Sequence, residues 1–193
     1  MSGGHAELPV AARVREFEER VIAAGLTTDA ELEEILAGVY ASASPVNGAR
    51  MVARAWTDPA YRDRLLADGN AAAAELGFAD GARGYLLKVV ENTAGVHNVI
   101  VCTLCSCYPT SLLGPSPSWY KSEAYRARVV REPRAVLREM GVELPADLEV
   151  RVWDSTAELR YIVVPRRPAG TDGMSEAELA KLVSRDAMIG TAV

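Results

Sequence analysis

The chain has no excess of positive charge. Its 21 Lys and Arg are outweighed by 26 Asp and Glu, a net charge of −5, so nonspecific nucleic-acid binding has no global electrostatic support. No apolar run approaches the roughly 18 residues that span a bilayer. The opening MSGGHAELPV has no basic segment followed by an apolar one, so a secretory signal is not expected. There is no internal repeat, and no low-complexity tract beyond the helix-favouring Ala71 to Ala74. The expectation is a soluble, cytoplasmic protein with neither a nucleic-acid nor a membrane partner. There is also no fourth cysteine. Cys102, Cys105 and Cys107 are the complete set, and an odd number packed into six positions excludes a disulfide framework spread along the chain. In a reducing compartment, clustered cysteines point to metal binding or redox chemistry.

The 193 residues suffice for one sizeable core plus an extension. The predicted fold class is α+β, with a helical N-terminal arm over residues 1–47 and a mixed, layered α/β domain over 48–193. In the arm, Val10, Val14, Phe17, Val21 and Ile22 form a helical stripe that Gly25 ends. A second helix starts at Thr28, with Glu31 completing a capping box. Residues 13–36 hold three arginines and seven acids, which reads as a solvated acidic face, with a surface for a basic partner as the other reading. The break SASPVNG precedes two predicted helices, the second running from Pro59 to Gly77. YLLKVVENT and VHNVIVC read as strands, so the cysteines lie in a loop at a strand end. The stretch 119–141 reads as a basic helix interrupted at Pro133. LEVRVWDSTAELRYIVVP reads as a β-hairpin, and 175–190 as a closing amphipathic helix.

Three familiar sites fit the cysteines poorly. Structural zinc wants four ligands, commonly in two separated pairs, and the fourth here would be His97 or a group from another chain. His97 sits in a predicted strand and reads more simply as a packed, hydrogen-bonded side chain. Iron–sulfur clusters want four thiolates. A Cys102–Cys105 redox pair leaves Cys107 unexplained. The tripeptide Cys105–Ser106–Cys107 offers another solution. Its two sulfurs bracket the peptide nitrogens of Ser106 and Cys107, so deprotonated amides would give a planar S, N, N, S set. Cys102 then binds from one axial side and leaves the other open. Deprotonating amides demands a strong Lewis acid, which points to a trivalent, low-spin ion. Three thiolates and two amidates carry about −5, which such an ion reduces to about −2, and oxygenating some sulfurs would tune it further. The Ser106 hydroxyl would lie near the open position, unless serine is there only for its size.

VCTLCSC resembles the metal motif of nitrile hydratase α subunits, shared with the catalytic subunit of thiocyanate hydrolase. VARAWTDPAYRDRLLADG, VVENTAGVHNVIVCTLCSC, WYKSEAYRARVVREPRAVLREMG and the stretch from RVWDSTAELRYIVVP to SRDAMIG also resemble family segments, over about residues 50–190. The resemblance implies a non-corrin cobalt(III) or low-spin iron(III) centre that hydrates a nitrile to an amide. Thr103 after the first cysteine is similar to the cobalt-type motif. Carried over, Cys102 is an unmodified thiolate, Cys105 a sulfinate and Cys107 a sulfenate, with the amides of Ser106 and Cys107 completing the metal ligands. The metal polarises the nitrile or holds the attacking hydroxide; in another version the Cys107 sulfenate oxygen is the nucleophile. Cys107 and Ser106 are thus the candidate catalytic residues.

The resemblance further implies a β-type subunit whose arginines bond the oxidised sulfurs, an arm that wraps it, and a metallochaperone or activator for cobalt insertion. No arginine of this chain is assigned to the sulfurs. An isolated chain is expected to self-associate through the surface that β would cover. One departure concerns substrate: many family members read Tyr–Pro–Trp–Pro after the claw, but here Thr110 stands where the indole would be. Thr110 is therefore the candidate substrate-binding residue, and a bulkier nitrile, heteroaromatic or of the toyocamycin nucleoside kind, is expected unless another side chain fills the gap. The alternatives are a thiocyanate hydrolase catalytic subunit and, from another class, a non-catalytic thiolate metal-binding module.

Overall fold

The computed structural model describes residues 9–78, 84–105 and 107–193. Contacts divide the chain between Ala41 and Ser42. The first unit is built on helices α1 (Val10–Ala23) and α2 (Asp29–Ser42). The capping box at α2 forms as expected: the Glu31 N–H donates to Thr28 Oγ1 at 3.2 Å, and the Thr28 N–H returns to the Glu31 carboxylate at 2.9 Å. No residue of α1 is buried, so the apolar stripe of Val10, Val14 and Phe17 is exposed.

The second unit starts with α3 (Pro45–Thr57), where Ser44 accepts the Val46 N–H and proline occupies the first turn. The single helix expected from Pro59 to Gly77 is in fact two, α4 (Pro59–Ala67) and α5 (Gly69–Glu75). Asp68 causes the break. Its backbone ends α4, while its carboxylate accepts the Ala71 N–H at 3.0 Å and starts α5. Serine caps divide the later segments in the same way. Residues 119–141 become a 3₁₀ turn (Ser118–Lys121), α7 (Glu123–Val129) after Ser122, and α8 (Pro133–Glu139). The closing segment becomes α9 (Glu176–Ala180) and, after Ser184, α10 (Arg185–Ile189). Between the cysteines and the 3₁₀ turn lies the four-residue α6 (Thr110–Leu113).

Among the described residues, four strands form two parallel pairs. β1 (Leu86–Glu91) pairs with β4 (Leu159–Val164), from Leu86↔Leu159 to Glu91↔Val164. β2 (Val96–Val101) pairs with β3 (Glu149–Asp154), ending at Val101↔Asp154. The expected β3–β4 hairpin is therefore not formed. DSTA contains no glycine or asparagine for the left-handed positions of a two-residue hairpin turn. Instead, the Ser155 N–H continues the ladder to the Val101 carbonyl at 2.7 Å, and Thr156 Oγ1 accepts the N–H of Glu158 and Leu159. These bonds carry the chain from one sheet to the other.

Val99, Ile100, Val101, Ile162 and Val163 form the strand side of the core, closed by Met51 and Val52 of α3 and Met188 of α10. His97 is buried as the sequence suggested. Burial lowers its pKa, so the ring is neutral; it donates from Nε2 to the Gly190 carbonyl at 2.8 Å and accepts the Asn92 amide at Nδ1 at 3.3 Å. Gly190 closes α10 with φ +88°, and a Cβ there would lie 1.9 Å from the Asn98 carbonyl oxygen. Among the described residues no helix is long and apolar enough to cross a membrane.

Candidate metal centre

The cysteine loop starts where β2 stops, at the carboxyl end of a parallel pair, where side chains from two strands converge. Cys102, the first residue past β2, is buried, Cys107 is half-buried and Cys105 is exposed. The Sγ atoms of Cys102 and Cys105 are 3.4 Å apart, those of Cys105 and Cys107 3.1 Å, and all three lie within 4.8 Å of one another. The Cys105 N–H points back to Cys102 Sγ at 3.4 Å. Three soft donors meeting at one point suit a thiophilic transition metal. Burial, and then the hydrogen bond with Cys105, push the Cys107 thiol up to about 12, against the pull of the Arg160 guanidinium. In this form Cys107 holds its proton, and a metal ion must displace it to bind the sulfur.

The loop is held from three sides. Asp154, the last residue of β3, accepts both the N–H of Thr103 at 2.9 Å and its Oγ1 hydroxyl at 2.5 Å. From α7, Arg126 Nη1 donates to the carbonyls of Cys105 at 3.1 Å and Thr103 at 3.4 Å. From the 3₁₀ turn, the Tyr120 hydroxyl donates to the Cys107 carbonyl at 3.0 Å. Tyr125 fastens α7 to β2 through the Ile100 carbonyl at 2.6 Å. Tyr120 and Tyr125 are in turn packed in an aromatic cluster, with Tyr108 edge-on to Tyr120 at 5.1 Å and Trp119 edge-on to Tyr125 at 4.9 Å.

Thr110 opens α6 and is half-buried, its N–H bonded to the Tyr108 carbonyl at 2.9 Å. Next to it, Ser111 Oγ lies 3.4 Å from the Tyr85 hydroxyl, and the Arg160 guanidinium stacks 5.1 Å over the Tyr85 ring. The structure thus brings Cys102, Cys105 and Cys107 together, with Thr110 three positions further along the chain. Ser106 lies outside the described residues. His97 belongs to the core at the far end of β2. Sequence reasoning missed Asp154, Arg126, Tyr120 and Arg160. Asp154 carried a weak signal: it follows the alternation of Glu149, Val150, Arg151 and Val152 and closes the strand after Trp153. Arg126 carried none, being one of six basic residues in its segment.

Comparison with known proteins places this geometry beside others. The family model for the nitrile hydratase alpha chain matches residues 8–192. The high-molecular weight cobalt-containing nitrile hydratase subunit alpha of Rhodococcus rhodochrous is 51% identical over 180 residues, covering 93% of this chain and 88% of that protein. The thiocyanate hydrolase subunit gamma of Thiobacillus thioparus is 45% identical over 159 residues, covering 77% and 65%. A double mutant of the Fe-type nitrile hydratase from Comamonas testosteroni Ni1 superposes with a TM-score of 0.88 at 42% identity, covering 96% of this chain and 91% of that one.

Proposed function

This chain belongs to the nitrile hydratase alpha-chain family, and on that premise we propose that it is the catalytic subunit of a cobalt(III) nitrile hydratase. The convergence of three thiols within 4.8 Å, in a chain so similar to a cobalt-containing subunit, carries the reading. Cys102, Cys105 and Cys107 would hold the ion together with the peptide nitrogens of Ser106 and Cys107. Cys105 is assigned as sulfinate and Cys107 as sulfenate. Iron(III) is the alternative ion, given the Fe-type structure of similar fold. When bound, the trivalent ion supplies Lewis acidity toward the nitrile or the attacking water.

The chain's own residues do the rest. Asp154, Arg126 and Tyr120 hold the backbone of the loop that carries the three sulfurs. Cys107 and Ser106 are the side chains assigned to the reacting carbon. We assign the arm to residues 1–47 and the catalytic domain to 48–193. Leu104, at the tip of the cysteine loop, is 86% exposed, as is fitting for a site that a β-type subunit completes. A metallochaperone, self-association of the isolated chain and a cytoplasmic location belong to the same proposal. Metal analysis with intact mass tests it: one cobalt per chain and roughly 48 Da from three added oxygens are expected. Zinc with an unmodified mass would favour a non-catalytic thiolate site instead. Thiocyanate hydrolysis is the second reading, favoured by the 45% identity to the gamma subunit, and parallel assays with a nitrile and thiocyanate separate the two.

Thr110 supports a bulkier substrate, heteroaromatic or a nucleoside nitrile, since a threonine side chain is smaller than the indole that many family members carry after the claw. Thr110→Trp is expected to shift the kcat/KM ratio toward acrylonitrile over 3-cyanopyridine by about 10-fold. A wild-type enzyme already far faster on acrylonitrile would sink this assignment.

A further inference from the structure

Resting on the reading above, one contact has a chemical consequence for the claw. The Cys105 carbonyl is bonded covalently to the Ser106 nitrogen, one of the two peptide nitrogens assigned to the metal. When that nitrogen binds, its proton leaves to water. The remaining charge is shared through peptide resonance with the Cys105 carbonyl oxygen. Arg126 Nη1 donates to that oxygen at 3.1 Å. We propose that Arg126 is a positioning residue that makes the Ser106 peptide a metal ligand, by holding the Cys105 carbonyl and stabilising the negative charge that ligation places on it.

Two further observations support the assignment. The same Nη1 reaches the Thr103 carbonyl at 3.4 Å, so one rigid group fixes both ends of the Thr103–Cys105 turn. The Nε of this guanidinium is buried and has no hydrogen-bond partner among the described residues. A buried cationic donor left unpaired is costly, and it is offset only when negative charge is placed close by. The loaded claw, at about −2, supplies that charge. The other charged groups at the loop act elsewhere. Asp154 is an anion spent on Thr103, and Arg160 faces Cys107 and Tyr85.

The test co-expresses the full chain with its β-type partner under limiting cobalt. Arg126→Met is expected to lower cobalt per chain by about 10-fold, the effect of losing one hydrogen bond to a charged group. The fraction that does load should show a displaced sulfur-to-metal charge-transfer band, which a purely structural role would not move. Arg126→Lys keeps the charge but loses the fork, and should load partially with a smaller displacement. Arg128→Met, on the same helix but paired to Glu132 and Glu139, should load and absorb as wild type. Wild-type loading and an unmoved band in Arg126→Met overturn the proposal. If that variant does not fold, wild-type loading and band in Arg126→Lys overturn it equally. A wild-type chain that takes up cobalt without the band or added mass defeats the functional reading itself, and does so before any variant is made.

Discussion

Cys107→Ala is expected to abolish nitrile hydration, with kcat/KM of the assembled enzyme falling by about 1000-fold or more. The alanine removes one of three converging sulfurs and, with it, the side chain assigned to the substrate carbon. Stability should hardly change, because Cys107 is half-buried and the loop keeps its anchors at Asp154, Arg126 and Tyr120; a loss of about 1 kcal/mol or less is expected. Activity, elemental analysis and a thermal melt on one preparation check the set. An active, cobalt-loaded Cys107→Ala enzyme would show that the donor set is not the one assigned.

Gly190→Ala is expected to have the largest effect on folding, although Gly190 touches no substrate. Its φ of +88° disfavours any side chain, and a Cβ would lie 1.9 Å from the Asn98 carbonyl oxygen, which is backbone and cannot swing aside. Relief requires α10 to move off β2, and that pulls the Gly190 carbonyl away from His97 Nε2. A loss of about 4 kcal/mol is expected, lowering the melting temperature by about 10 °C. Because β2 leads directly into Cys102, cobalt uptake should fall in parallel. A melting temperature within about 2 °C of wild type would contradict the packing described.

These two positions differ in how readable they were. The cysteines declare themselves, since the one-residue gap between Cys105 and Cys107 has few other uses. The Thr28–Glu31 cap and the strand before Cys102 were also legible, each resting on neighbours within a few positions; that His97 is a packed side chain was legible from its place in a strand, but its bond to the Gly190 carbonyl was not. Gly190 was not, because the contact that demands a glycine is with residue 98. The same holds for β3 and β4. Alternation announced two strands, but their partners lie in β2 and β1, and only tertiary packing decides that a short link is a passage between sheets rather than a hairpin. Helix ends were misread for another reason. Asp68, Ser122 and Ser184 each satisfy the first turn of a new helix, and their side chains prevailed over a continuous apolar pattern.

The Thr103–Asp154 anchor spans 51 residues of chain. A ribosome adding about 5–20 residues each second needs roughly 3–10 s to make that length. That is the delay between emergence of the cysteine loop and emergence of its β3 anchor, and over it the three thiols, without that anchor, can meet whatever soft ion arrives first. Fidelity of metallation is therefore partly a matter of timing: a cobalt donor that acts after β3 docks meets a shaped claw, whereas zinc has the earlier opportunity.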